Sequence, residues 1–380
     1  MTVTGEASGT LLEAALRSVS AVTGDQAVLA DSCAVMIAES GDHLWPVKGK
    51  QGAAGPNTVA SAVVTGLRLL AGCPGGASFD GQHWCMTAHD GCPGPGKPGQ
   101  AASAARGTGA VHTPLDLALA VTRPAIDLLV TGRAEDGTPA MRRSGGILSV
   151  RVADISCGSG AFLLAAGILL SSALAYAWEL EGDPRAGDPL AATREVTASC
   201  LYGADLSAAA VALSKLALQL AGYDPARPAV TLDETFTAGD SLLGTDFAAA
   251  FPGVFHREQG GFDLVLGNPP FLGGQKITAE LGRDYRDRLI TETARGRRGS
   301  ADLAAYFLLR MWDLTRPGGV TAILATNTLA QGDTREVGLE QVCAEGGDIR
   351  WAVKSEPWPD SRAALHYCAA VIAKPAGPAA

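Results

Sequence analysis

Phe262-Asp263-Leu264-Val265-Leu266-Gly267-Asn268-Pro269-Pro270-Phe271 is the stretch on which the reading of this chain turns. Its first five residues are an apolar run with the length of a buried strand. Two successive prolines cannot continue a central strand, because neither has an N–H for the ladder. They make a stiff turn at the strand's C-terminal end, where open α/β sheets hold their ligands. The turn sets an amide, a proline carbonyl and an aromatic face side by side. Asn268 Oδ1 and the Pro269 carbonyl can accept both hydrogens of an amino group on a planar substrate, with Phe271 stacked on its ring. An ordinary proline-rich strand exit with a core phenylalanine would use the same residues, so the rest of the sequence has to decide.

Upstream, the apolar run Ile147 to Ala153 reads as a strand and delivers Asp154-Ile155-Ser156-Cys157-Gly158-Ser159-Gly160-Ala161-Phe162 into a long apolar helix. Strand, glycine turn and helix together make a nucleotide-type cofactor site, because the helix start offers N–H groups to an anion. A dinucleotide fingerprint needs a third glycine where this chain has Leu163, and no phosphate-loop Gly-Lys-Ser/Thr follows. Ser199 to Ala204 reads as a second strand ending at Asp205, followed by Leu206 and a helix from Ser207 to Leu220. Ala229 to Ala238 reads as a third strand, ending in Gly239-Asp240-Ser241-Leu242. An acid at the second strand end is placed to accept ribose hydroxyls, and Asp240 can accept an adenine amino hydrogen. Val320 to Ala325, Ile349 to Val353 and Ala364 to Ala373 complete the strands, the last two as a hairpin. Thr113-Pro114 reads as a hydroxyl N-cap with proline at the first helical position, opening a helix to about Val130.

Leu272 to Ser300 contains Lys276, Arg283, Arg286, Arg288, Arg295, Arg297 and Arg298 against four acids, in a chain of net charge −9. It reads either as a salt-bridged surface helix or as a segment that contacts phosphates. Residues 1–105 read as a helical, loop-rich region preceding a catalytic domain at 106–380. Cys73, His83, Cys85, His89 and Cys92 lie in that region, but paired Cys-x2-Cys spacing is missing and no metal is expected. The start Met1 to Glu6 lacks a basic n-region and apolar core, so a cytoplasmic location with reduced thiols is expected. The apolar stretch Ala161 to Trp178 reads as a buried helix, with no membrane partner. At 47% hydrophobic and 18% charged, the chain can bury a sizeable core.

Taken in order, these blocks resemble the gamma-class N6-adenine DNA methyltransferases of restriction–modification and phage-defence systems, over roughly Arg106 to Lys374. Gly109-Ala110-Val111-His112-Thr113-Pro114 resembles the upstream cofactor motif. Asp154 to Phe162 resembles the glycine-turn block, with Ile155 where the family has proline. Asn268-Pro269-Pro270-Phe271 resembles the catalytic motif.

The resemblance implies an α/β fold: a doubly wound, mostly parallel seven-stranded sheet of the methyltransferase type. It implies S-adenosylmethionine as cofactor, held by His112, Thr113, Asp154, Cys157, Gly158, Gly160, Phe162, Asp205, Leu206, Asp240 and Ser241. DNA is the implied partner, contacted by Lys276, Arg295, Arg297 and Arg298. Asn at the first catalytic position points to adenine, since cytosine-N4 relatives usually have Ser there. An RNA or protein-glutamine methyltransferase with the same Asn-Pro-Pro motif, and an inactive DNA-binding subunit, are the competing readings. Only six residues follow Lys374, whereas the family places a target-recognition domain there. Weak, sequence-indifferent DNA binding by this chain alone is therefore expected, with a separate recognition or nuclease polypeptide as a further partner.

Overall fold

The computed structural model describes residues 77–79, 84–86, 113–133, 139–224, 226–359 and 365–377. The proposed N-terminal helices, the boundary near residue 105, His112 and the cysteine–histidine cluster as a site lie outside them. The centre is a seven-stranded sheet: β1 (Val152–Asp154), β2 (Leu201–Asp205), β3 (Phe236–Ala238), β4 (Phe262–Gly267), β5 (Thr315–Thr326), β6 (Asp348–Pro357) and β7 (His366–Ala373). Their spatial order is β3-β2-β1-β4-β5-β7-β6. All pairs from β3 to β5 are parallel, and β7 runs antiparallel between β5 and β6. This is the mostly parallel, seven-stranded α/β sheet expected from the sequence.

Side-chain alternation sorts the strand residues onto two faces. Val152, Leu264, Leu266, Ala322, Leu324 and Val371 join one core cluster. Ala153, Val265, Ile323, Ala325, Ala370 and Ile372 join the other. The first cluster is covered by α1 (Leu115–Val130), α2 (Ala161–Glu181), α3 (Pro189–Cys200) and α4 (Ala208–Ala221). The second is covered chiefly by α7 (Leu303–Leu314), whose residues are buried almost without interruption. Between β4 and α7 the chain forms two short helices, α5 (Gly274–Leu281) and α6 (Arg283–Arg288), and a π-helical turn, Leu289–Thr293. α2 is long and apolar enough to cross a membrane, but 72% of its most apolar window is buried against the sheet and its neighbouring helices. Its hydrophobicity is that of a core element.

Several boundaries differ from the sequence reading, two of them because a run was shared between two elements. Ile147 and Leu148 belong to a short helix, Ser144–Leu148, and only Val152–Asp154 forms strand β1. Ile147 is fully buried, and burial alone does not separate a helical turn from a strand. Ser199 and Cys200 close α3, which Asp188 caps by accepting from Ala191 N at 2.9 Å. Of the run 229–238, only Phe236–Ala238 pairs with β2. Ser207 caps α4 as expected, accepting from Ala210 N at 3.3 Å.

The end of the sheet opposite the strand C-termini is tied by Asp263, which is 5% exposed. Its carboxylate accepts from Arg151 N at 2.8 Å and Arg316 Nε at 2.6 Å, with Arg257 at 3.5 Å. Removing a buried carboxylate leaves the partner charges uncompensated, which costs about 3–5 kcal/mol. Asp263→Ala is expected to lower the unfolding free energy in water by that amount, read as a lower urea midpoint at an unchanged slope. An unfolding free energy within roughly 0.5 kcal/mol of the parent, the scatter for surface substitutions, would contradict this role.

Candidate functional site

Parallel register brings the chemistry-bearing residues to one edge. Asp154 pairs with Gly203 on β2 and with Leu266 on β4, while Asp205 pairs with Ala238 on β3. Asp154, Asp205, Asp240 and Asn268 thus terminate four adjacent strands or the turns directly after them. The order of strands reverses between β1 and β4, where an α/β sheet opens a crevice.

At this crevice β1 and β4 approach closely. A Cβ on Gly267 would lie 2.6 Å from Asp154 Oδ1, so only glycine fits before Asn268. Asp154 is 2% exposed and accepts from Ser156 N at 3.0 Å. Burial pushes its carboxyl up to about 7, with a smaller push from the Asp205 charge.

The glycine turn is held from β2. Cys157 N donates to Ala204 O at 3.0 Å, and Gly158 N donates to Asp205 Oδ2 at 2.9 Å. Ser207 N donates to Asp205 Oδ1 at 2.9 Å. Each Asp205 oxygen keeps a second lone pair, which suits a vicinal diol. Gly160 has φ +94°, and a Cβ there would meet Ser214 Oγ at 2.7 Å; the turn packs directly on α4. A Cβ on Gly158 would meet nothing closer than 3.9 Å, so the backbone there is open to a ligand. Leu206, next in sequence to Asp205, is 77% exposed, an apolar side chain available to cover a nucleoside ring. This donor and acceptor set fits an adenosyl cofactor.

Cys157 is buried, and burial first, then the Asp205 and Asp154 charges, push its thiol well above the usual range. It is a packing residue without thiolate character. Phe162 is likewise in the core. Ser241 is buried; Arg310 Nε donates to its carbonyl at 3.1 Å, and its hydroxyl has no hydrogen-bond partner among the described residues.

Thr113 is not the helix cap that the sequence suggests. Helix α1 starts at Leu115 with Pro114 in the capping position and no side-chain cap bond. The Thr113 hydroxyl instead accepts from Asn268 Nδ2 at 3.0 Å. The donor end of the amide is thereby turned to Thr113, and Oδ1 is the end that accepts. Phe271 meets Trp358 edge-on, with ring centroids 6.2 Å apart, and Trp358 meets Tyr367 in the same way. Trp358 lies just past β6, where Trp358 N donates to Leu365 O across the hairpin loop. Trp358 falls in the connection between the last two strands of the sequence reading, and an aromatic between Pro357 and Pro359 is the local signal that singles it out. Tyr285 lies among the arginines of the basic segment, and no sequence pattern announces that its hydroxyl donates to Asp240 Oδ1 at 3.1 Å.

The basic segment separates into two groups. Arg295 is held by Asp313 at 2.6 Å and Glu345 at 3.0 Å, near the N-terminal start of β5 and away from Asn268. Its charge is already met by these two carboxylates. Arg297 donates to Glu336 O at 2.8 Å, and Arg288 pairs with Glu292 at 2.7 Å. Lys276, Arg283 and Arg298 are exposed and have no ion pair among the described residues. Arg283, Arg286 and Arg298, with Asp287 as the one acid and Thr278, Ile290 and Thr291 beside them, line a surface groove of about 520 Å³. Among the described residues no His, Cys, Asp and Glu group could hold a metal ion.

Asp154 makes stability depend on pH. Its folded pKa, about 7, lies above the ordinary carboxylate value near ~4, so folding favours the protonated form. That contribution is complete below about pH 4 and is lost as pH rises through 7. Asp154→Asn, neutral throughout, is expected to gain in melting temperature relative to the parent from pH 4 to 7 and to level off above. Thermal melts across this range check it; a difference that is flat or falls with pH would contradict it.

Residues 199–343 match the model of the Eco57I restriction-modification methylase family. The matched segment contains Asp205, Asp240, Asn268 to Phe271 and the basic segment, but not Thr113, the glycine turn or Trp358. Among solved structures, the chain is similar to the Type IIL restriction-modification enzyme MmeI in complex with DNA, at 17% identity and a TM-score of 0.47 over 70% of this chain and 35% of that one. It is also similar to the ATP-dependent Type ISP enzyme LlaBIII bound to DNA, at 12% identity and 0.48 over 70% and 19%. A type I methyltransferase subunit from Streptococcus thermophilus aligns at 16% identity and 0.41 over 85% and 55%. This chain therefore spans about a third or less of the length of the first two. No curated protein matches the sequence.

Proposed function

We propose that this chain is an S-adenosylmethionine-dependent DNA methyltransferase that modifies the N6 amino group of adenine, within a cytoplasmic restriction–modification or phage-defence system. The observation that carries the reading is Asn268-Pro269-Pro270-Phe271 at the crevice between β1 and β4, its amide oriented by Thr113. The match of residues 199–343 to a restriction-modification methylase family supports it.

When bound, S-adenosylmethionine supplies an electrophilic methyl group on a sulfonium. The turn from Cys157 to Gly160, with Thr113, would hold its methionine part, Asp205 would take the ribose hydroxyls, Leu206 would cover the purine and Asp240 would accept from its amino group. The protein's task towards the target is positioning. An adenine amino nitrogen is a poor nucleophile because its lone pair is conjugated into the ring. Hydrogen bonds from that amino group to Asn268 Oδ1 and the Pro269 carbonyl favour the pyramidal geometry that frees the lone pair. Pro270 keeps the turn rigid. The target must leave the duplex to reach the crevice, and Phe271, backed by Trp358, offers it a stacking surface. Lys276, Arg283, Arg286 and Arg298 hold the phosphates on either side.

Transfer of labelled methyl to DNA, RNA and protein, followed by nucleoside analysis, tests the reading; N6-methyladenine in DNA is expected, and N4-methylcytosine or labelled protein would refute it. Asp205→Ala is expected to weaken cofactor binding at least tenfold, about 1.5–3 kcal/mol for charge-assisted hydrogen bonds. Asn268→Ala should abolish transfer with cofactor affinity nearly intact. Calorimetry on both variants separates these effects, and equal affinity losses would contradict the division of labour. Replacing Arg283 and Arg298 together by Ala should reduce the log–log salt slope of DNA binding by roughly 1.8. Arg295→Ala should leave that slope unchanged, and an equal change in both variants would undo the assignment of the groove.

A further inference from the structure

We infer that Tyr285 is a positioning residue that makes the nucleoside subsite selective for an amino-purine over a keto-purine. The inference rests on the cofactor reading above and concerns the same site. Asp240 begins a tight turn in which Gly244 N and Thr245 N both donate to its carbonyl, at 2.9 and 2.7 Å. Its side chain folds back on that turn. Oδ1 accepts from Leu242 N at 2.9 Å and from Leu243 N at 3.3 Å. Tyr285 adds a third donor to the same oxygen from a different element, helix α6. The two turn donors already fill the lone pairs of Oδ1, Tyr285 fixes that oxygen from outside the turn, and the acceptor capacity left on the carboxylate is at Oδ2, which has no hydrogen-bond partner among the described residues.

Tyr285 is suited to this task. It is half-buried and its ring packs against the second core cluster, so the hydroxyl is delivered from a fixed position. Burial and the Asp240 charge both raise its pKa, which keeps the phenol a donor across the working pH range. Arg288, one turn further along the chain, donates from Nη2 to Leu243 O at 3.3 Å and holds the helix to the same turn.

The chemical consequence follows from what Oδ2 can do. A carboxylate oxygen accepts and cannot donate. An exocyclic amino group opposite it completes a hydrogen bond. A ring carbonyl in the same place sets two acceptors against each other, with both desolvated. Without the Tyr285 hydroxyl, Oδ1 is held only by the two donors of its own turn and the carboxylate is freer to rotate, so the preference falls along with part of the affinity.

The experiment is calorimetry of the full chain with S-adenosylhomocysteine and with S-inosylhomocysteine, in which a carbonyl replaces the purine amino group. The parent protein is expected to prefer the adenosyl compound. Tyr285→Phe, which keeps the packed ring, is expected to lose about fivefold to tenfold in adenosyl affinity with little change for the inosyl compound, so their ratio shrinks. Arg288→Ala loosens the same helix while leaving the Tyr285 hydroxyl on Asp240, and should weaken both ligands alike at a constant ratio. An unchanged ratio in Tyr285→Phe, or an equal shrinkage in Arg288→Ala, overturns the inference while leaving the cofactor reading standing. A parent protein that binds neither thioether overturns the cofactor reading and this inference with it.

Discussion

The contact between the ends of β1 and β4 is the constraint on which the site depends. Gly267 can approach Asp154 only because it has no side chain. That approach brings the turn carrying Asn268 beside the turn carrying Gly158 and Gly160. Burying Asp154 under it costs the carboxylate its charge at acid to neutral pH, a local destabilisation set against the packing of two large cores. Rigid strands spread this constraint to the neighbouring acids. β2 places Asp205 where it both clamps the glycine turn and faces the crevice, so one residue organises the site and offers lone pairs to a ligand.

The segment between β4 and α7 works at two boundaries. On one side, Tyr285 and Arg288 grip the turn after β3. On the other, Arg283, Arg286 and Arg298 form a basic groove in an otherwise acidic protein. Arg286 is steadied there by Thr278 Oγ1 and Gly299 O, both at 3.3 Å. The same short helix therefore connects the proposed nucleoside subsite with the proposed phosphate track. Charge in this segment is not uniform in purpose: Arg295 and Arg297 anchor the segment to the protein, whereas Arg283 and Arg298 face solvent.

Much of the site is legible in the sequence because its pieces are local. A strand followed by a glycine turn, or by Asn-Pro-Pro-Phe, declares its conformation within ten residues. Parallel strands buried on both faces also read as apolar runs, which is why β4 and β5 were recognisable. Boundaries were less legible where a run served two elements, as at Ile147 between a helical turn and β1, or Cys200 between α3 and β2. Nothing in either run's composition separates a buried helix from a buried strand.

The sequence by itself determined the fold class, the residues at the strand ends and their order along the chain, because backbone stereochemistry and hydrophobic alternation act over short distances. Only the tertiary structure decided what those residues touch. Thr113 and Asn268 are 155 positions apart, and a hydroxyl that looks like a helix cap serves an amide on a different element. Trp358 reaches Phe271 from the far hairpin, and Tyr285 reaches Asp240 across the turn between. Which arginines are ion-paired was likewise decided by packing, since an ion pair needs two chain segments to meet and no local pattern records that meeting.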